Sequence, residues 1–338
     1  MIGSAKKTES PKVEGKQNPV YLVTGGSGYI GSHLIHELES KNIEAISFDS
    51  NINLRKFSGF KSIRHVRGDI NDTKFLRDTI MAYRVEGVFH LAALKSVTES
   101  LRNPIKYDLV NVGGTASVLE ACKDGGVKNL VFSSSAAVYA PNLGTNPINE
   151  DHELASINPY GDSKISGEKM IKDFWLEGNG SSICLRLFNV GGSKNSILYD
   201  SKGENVMPKL ARSFLNGTRF DVYGSDLATP DGTCVRDYVH IDDVTSAFLK
   251  SMSLLEVNFG TMHGVFNVCS EIGVSVNQII TEMRDYSGLD IEVNYSEHRE
   301  GDQVVVIGGN QKITSAMNWI PSKNISQIIQ ETWDHSQL

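Results

Sequence analysis

Val20-Tyr-Leu-Val-Thr24 runs directly into Gly25-Gly26-Ser27-Gly28-Tyr29-Ile30-Gly31 and then into Ser32-His-Leu-Ile-His-Glu-Leu38. A short β-branched run, a glycine-rich turn and an amphipathic helix in succession read as the opening of a βαβ unit. Glycine suits that turn because the backbone must bend sharply and come close to a pyrophosphate seated on the amides of the helix N-terminus. The GxxGxxG spacing differs from the GxGxxG of many dehydrogenases, and taken alone it is equally compatible with a flexible turn. Gly25, Gly28, Tyr29, Ile30 and Gly31 are therefore candidate dinucleotide contacts.

Moving outward, residues 44–48, 63–66, 87–92, 129–133 and 183–188 read as further strands, and the stretches between them carry helical spacing. Such alternation predicts a doubly wound, Rossmann-type parallel sheet with helices on both faces. Asp49 ends the second strand 18 residues beyond Gly31, where a carboxylate can accept from both hydroxyls of an adenosine ribose. A 2′-phosphate would be repelled there, so NAD is favoured over NADP. Asp69 and Ile70 end the third strand, and Ala92 and Ala93 the fourth, at the strand C-termini where an open α/β sheet binds its ligand.

The chain has 338 residues, 40% apolar and 22% charged, with 33 Lys plus Arg against 40 Asp plus Glu. That is globular composition with a net charge of -7, which argues against a basic nucleic-acid-binding surface. Cys122, Cys184, Cys234 and Cys269 form no CxxC pair and have no His at zinc spacing, so no metal is expected and a reducing compartment fits. No apolar run approaches the roughly 20 residues of a membrane helix, and the start lacks the apolar centre of a secretory signal. A soluble, cytoplasmic protein is expected. Residues 1–19 read as a flexible extension, 20–192 as the dinucleotide-binding domain, and 193–338 as a smaller, interleaved mixed α/β substrate lobe. A segment near 237–270 is expected to return to the first domain, with 265–269 rejoining its sheet.

Tyr160-Gly-Asp-Ser-Lys164 follows Asn158-Pro159, a helix cap and a first-turn proline, so Tyr160 and Lys164 share one helix face. A neighbouring ammonium and a nicotinamide cation both favour phenolate, which makes Tyr160 a candidate base. A bare YxxxK is equally a surface pair. Ser133-Ser134-Ser135 supplies hydroxyls at the end of the fifth strand, where one can bridge a substrate alcohol and the tyrosine oxygen.

The glycine turn, the serine run and YxxxK together resemble the extended short-chain dehydrogenase/reductase superfamily. Within it, Leu94-Lys95-Ser96-Val97, Asn111-Val-Gly-Gly-Thr115, Phe132-Ser-Ser-Ser-Ala-Ala-Val-Tyr139, Asn205-Val206-Met-Pro208, Asp231-Gly-Thr-Cys-Val-Arg236-Asp-Tyr-Val-His240 and Arg299-Glu-Gly-Asp302 are similar, in order and spacing, to the UDP-glucose 4-epimerase (GalE-type) family. The likeness covers residues 20–335. It implies a catalytic trio of Ser135, Tyr160 and Lys164, and NAD contacts at Asp49, Asp69, Ile70, Lys95, Asn111 and Ser133. It also implies a UDP-hexose pocket with Asn189, Asn205, Tyr223, Arg236, Arg299 and Asp302, joined by Lys95, Phe188 and Val206. The arginines suit a diphosphate, and Tyr223 falls in the uracil region. His240 reads as structural.

The activity so implied is reversible inversion at C4 of UDP-galactose and UDP-glucose through a 4-keto intermediate. UDP-N-acetylglucosamine or UDP-glucuronate epimerisation and a non-catalytic NAD-sensing role are the rivals. A 4,6-dehydratase is disfavoured, because Ala136-Ala137 supplies no acid/base pair after Ser135. The chain departs from the family at Arg186-Leu-Phe-Asn-Val190, where Leu187 replaces an aromatic hydroxyl, in loop 193–203, and at Gln303-Val-Val-Val-Ile307. Val306 falls where the family carries a pocket-lining side chain, but strand alternation alone equally places it in a core. Helices over 105–124 and 160–175 resemble those that pair in the family's homodimer, and their apolar positions equally read as core.

Overall fold

A computed structural model describes residues 19–142, 146–175, 178, 180–200, 203–258, 262–298 and 303–337. The expected extension over 1–19 thus lies almost wholly outside the described residues, as do Arg299 and Asp302. In chain order the first half comprises β1 (Val20–Thr24), α1 (Tyr29–Ser40), β2 (Glu44–Asp49), β3 (Ile63–Arg67), α2 (Thr73–Tyr83), β4 (Gly87–His90), α3 (Val97–Arg102), α4 (Pro104–Tyr107), α5 (Gly113–Gly125), β5 (Asn129–Ser135) and α6 (Pro159–Phe174). The second half adds β6 (Ser181–Leu187), β7 (Asn189–Gly191), α7 (Val206–Asn216), β8 (Phe220–Tyr223), β9 (Val235–His240), α8 (Ile241–Val257), β10 (His263–Val268), β11 (Gly273–Ser275), α9 (Val276–Ser287), β12 (Val293–Ser296), β13 (Val305–Val306), α10 (Gln311–Met317) and α11 (Ile325–Ser336).

Seven strands pair in parallel in the order β3-β2-β1-β4-β5-β6-β10. The order reverses between β1 and β4, and the crevice at that switch point is where such a sheet takes its ligand. Central strands are apolar on both faces because helices cover both. On one side Leu34 and Ile35 of α1 meet Val244 and Phe248 of α8; on the other, Leu76 and Ile80 of α2 meet Val118 and Leu119 of α5 and Ile171 of α6. The doubly wound expectation holds, and β10 is the edge strand foreseen near 265–269.

Three differences have identifiable causes. The strand expected over 87–92 stops at His90 because its neighbour β1 turns at Gly25, leaving the Leu91 amide on the Thr24 carbonyl at 3.1 Å and the Ala92 amide on the Thr24 hydroxyl at 3.3 Å. The single helix expected over 105–124 is broken by a π turn, Asp108–Val112, which carries the buried Asn111. Within 237–270, α8 and β10 pack with the large sheet, but most of the opening stretch belongs to β9, which pairs with β7, β11 and β13 in a small second sheet. The apolar positions of 160–175 and of the later turns of 105–124, such as Val118, Cys122, Ile171 and Trp175, are core.

A further core joins Leu210 and Phe214 of α7, Ile279 and Met283 of α9, and Ile328 and Trp333 of α11. All four cysteines are buried and unpaired. Among the described residues no helix is long and apolar enough to cross a membrane.

Phe248 is fully buried and meets Phe89 edge-on at 6.3 Å. Phe248→Ala is expected to lower stability by about 3–5 kcal/mol, the usual cost of deleting a core ring, read as a shift in urea midpoint at unchanged slope.

Candidate active site

The strand C-termini open into a cleft of about 730 Å³. At its floor the glycine turn leaves no room for side chains. Gly25 has φ +70°, and a Cβ on it would stand 2.8 Å from the Ala92 nitrogen; a Cβ on Gly31 would stand 2.1 Å from the Gly25 carbonyl oxygen. Gly28 is the N-cap of α1, with no side-chain cap and no acidic residue in the first turn. The helix amides and dipole are thus directed at the cleft, a fitting seat for the pyrophosphate of NAD. Tyr29 and Ile30 complete this wall.

Asp49 stands at one end, accepting from the Ser27 amide at 3.0 Å and the Asn51 amide at 2.9 Å, and it lines the cleft beside Ser50. Asp69, whose carboxylate accepts from the Asn71 amide at 2.9 Å, lies in the same wall with Ile70. Ala92, Ala93 and Lys95 flank the middle, and the Lys95 ammonium reaches Asp200 at 3.0 Å.

Ser135, Tyr160 and Lys164 converge from β5 and α6. Asn158 caps α6 by accepting from the Gly161 amide at 2.9 Å, and Pro159 occupies the first turn, as expected. Tyr160 and Ser135 both line the cleft; burial raises the Tyr160 phenol and the Ser135 side chain lowers it. Lys164 is 4% exposed, donates to the Ser133 carbonyl at 2.8 Å and stands 6.0 Å from the Tyr160 ring centre. Burial brings its ammonium down to about 8, opposed by the Glu168 carboxylate.

Toward the second lobe, Phe188, Asn189, Asn205, Arg236 and Val306 line the cleft. Arg236 donates to the Val235 carbonyl at 2.9 Å. Val306 sits in β13 against Val235–Arg236, half-buried, and also touches the small cluster around Phe188 and Tyr139.

Three expected contacts are not in the wall. Asn111 accepts from the Leu94 amide at 2.8 Å and donates to the Leu94 carbonyl at 3.0 Å and the Ser163 hydroxyl at 2.9 Å, so it braces the loop after β4 from behind. Val206 begins α7 and packs on the second lobe's core, leaving Asn205 in the wall. Tyr223 ends β8, outside the lining residues. His240 is buried between the Glu331 carboxylate, at 2.6 Å, and the Asp242 amide, a structural tie. Sequence reasoning did not single out Gln303, which lines the cleft and donates to the Tyr139 carbonyl at 3.4 Å. Only its place beside the unusual Val-Val-Val run pointed there.

The model of the NAD dependent epimerase/dehydratase family matches residues 21–269. The UDP-glucose 4-epimerase of Azospirillum brasilense is 34% identical over 313 residues, 90% of this chain and 88% of that protein. A UDP-glucose 4-epimerase from Stenotrophomonas maltophila, solved with bound NAD and formylated UDP-arabinopyranose, superposes with a TM-score of 0.88 at 29% identity, covering 95% of this chain and 98% of that one. The UDP-Glc/GlcNAc 4-epimerase of Campylobacter jejuni superposes with a TM-score of 0.82 at 30% identity, covering 95% and 99%. With the glycine turn, Asp49 and the Ser135-Tyr160-Lys164 group in place, the chain belongs to the NAD-dependent epimerase/dehydratase family, as an epimerase of the UDP-glucose 4-epimerase type.

Proposed function

We propose that this epimerase interconverts UDP-galactose and UDP-glucose with Tyr160 as its base. The meeting of Tyr160 and Ser135 in the cleft that the glycine turn floors carries the reading. Bound NAD supplies a reversible hydride acceptor, so that inversion at C4 passes through a 4-keto sugar. Tyr160 takes the proton from O4 and later returns it; Ser135 aligns that oxygen against the phenol. Lys164 keeps positive charge beside the pair, and Arg236 with Asn189 and Asn205 anchors the diphosphate end so that the hexose can turn over. Asp49 holds the adenosine ribose and Asp69 lies beside the adenine end; Arg299 and Asp302 are assigned to the nucleotide-sugar pocket on their motif alone. A non-catalytic NAD sensor would not need Ser135, Tyr160 and Lys164 grouped this way. Incubation with UDP-galactose should yield UDP-glucose without added NAD. Tyr160→Phe should reduce that rate by about 10²–10⁴-fold, with folding unchanged by circular dichroism.

Val306 favours a second substrate class. It is a small side chain in the wall, next to Arg236, and the similar Campylobacter jejuni protein is a UDP-Glc/GlcNAc 4-epimerase. A pocket with valine there leaves room for a 2-acetamido group. UDP-N-acetylglucosamine is expected to be a substrate, and Val306→Tyr to lower its kcat/KM relative to UDP-glucose by about 10–200-fold, the range for a misfit of 1–3 kcal/mol. An unchanged ratio would remove Val306 as the gate.

The working form we propose is a cytoplasmic homodimer. Free, buried cysteines suit a reducing compartment. Leu101 of α3, Ile105 of α4 and Leu109 of the π turn are 56%, 71% and 65% exposed. Exposed apolar side chains of that kind are what a twofold interface buries. Sedimentation equilibrium should give twice the chain mass, and Ile105→Asp with Leu109→Asp should give the monomer.

A further inference from the structure

We propose that Glu168, held by Arg186, is a positioning residue that keeps the proton shared by Tyr160 and Lys164 on the lysine. The proposal rests on the roles given to those two residues above. Tyr160, Lys164 and Glu168 follow one another at intervals of four on one face of α6, and each meets a serine of β5: Tyr160 the Ser135 side chain, Lys164 the Ser133 carbonyl, Glu168 the Ser134 hydroxyl. The Glu168 side chain is 7% exposed and is gripped by Arg186 at 2.9 Å and 2.7 Å. The guanidinium lies over the Tyr139 ring at 4.9 Å and also donates to the Tyr139 hydroxyl and the Glu150 carbonyl.

Removing one proton from the Tyr160–Lys164 pair gives either tyrosinate with ammonium or tyrosine with amine, at the same net charge. Only the first is a base for O4. Burial favours the second, since it raises the phenol and lowers the ammonium. A carboxylate one helical turn from Lys164 and two turns from Tyr160 stabilises the ammonium more than it opposes the phenolate. Arg186 holds the carboxylate from β6 in a two-bond pair, which fixes the Glu168 side chain in place behind Lys164. Other groups packed around the pair carry little charge of their own. His90 on β4 is held neutral, its pKa brought down to about 3 by burial, and burial raises the Cys184 thiol on β6. His263 on β10 is lowered by burial, the Tyr139 phenol is raised, Tyr107 of α4, edge-on to Tyr160 at 6.5 Å, is pushed up to about 12 by burial, Asn111 and Thr115 are neutral, and Lys172 lies a further turn along α6.

A buried ion pair adds little to stability compared with apolar residues of similar volume, which gives the test its control. The kcat–pH profile for UDP-galactose is measured on NAD-loaded wild type, Glu168→Gln and the double variant Glu168→Leu/Arg186→Met. Without the carboxylate the doubly protonated pair is less stable, so both limbs of the profile should move to lower pH by about one unit. The maximum should fall about tenfold as the proton settles on the tyrosine, with KM changing less. The double variant, which leaves no unpaired buried charge, should shift the same way by less. A second reading needs no turnover: tyrosinate absorbance of NAD-loaded protein near neutral pH, taken as the difference from Tyr160→Phe, should fall in Glu168→Gln. If the limbs stay in place while the maximum falls, or the double variant keeps the wild-type profile, Glu168 is only a structural strut. Absence of turnover in wild type would sink the epimerase reading instead, leaving the absorbance comparison to decide on Glu168.

Discussion

Everything at the cleft depends on a contact that only glycine permits, the approach of the first turn of α1 to the Gly25 carbonyl. A methyl group at Gly31 would stand 2.1 Å from that oxygen, so any other residue would push α1 off β1. With α1 displaced, its uncapped N-terminus would no longer point into the crevice between β1 and β4. The same turn brings Gly25 against Ala92, so one backbone contact also fixes the loop after β4. Asn111 then secures that loop from the other side through Leu94. The proposed dinucleotide seat is thus a set of backbone surfaces, positioned by what cannot be added as much as by what is present.

The proposed reacting end is built differently, by side chains locked in register between a strand and a helix. Three consecutive serines of β5 address three residues of α6 spaced by one turn each, and a mismatch at one would disturb all three. Behind them, buried polar groups continue without interruption: Arg186 to Tyr139, Tyr139 to Asn267, and Asn267 to the carbonyls of Ile148 and Gly309. Such a satisfied network allows one arrangement, because any shift strands a donor or acceptor in a dry interior. The second lobe joins this framework through β7 on β9 and through Glu331, which accepts from the Ser193 amide as well as contacting His240.

Much of this was legible in the sequence because it depends on local order along the chain. Alternating β-branched and amphipathic runs give a parallel sheet, Asn158-Pro159 opens a helix, and Tyr160 with Lys164 must then share a face. What could not be read were features decided by distant partners. The π turn at Asp108–Val112 accompanies a buried amide shared with Leu94 and Ser163, 17 and 52 residues away along the chain. The same bonds make Asn111 a brace, though its motif suggested a ligand contact. Strand β9 reads like a member of the main sheet, and only its pairing with β7, β11 and β13 places it elsewhere. Val306 was ambiguous because a short strand beside a cleft belongs to both wall and core.

The buried thiols give the molecule a built-in reporter. Thiolate, not thiol, attacks alkylating reagents, and burial pushes Cys122 up to about 12 and raises Cys184 and Cys269. Those three sit in different places, Cys122 on α5, Cys184 midway along β6 and Cys269 just past the edge strand β10. Each can be modified only when its own neighbourhood opens to water. Mass-resolved alkylation of the native chain therefore maps local opening, and the order in which these three sulfurs take up label records which part of the molecule loosens first.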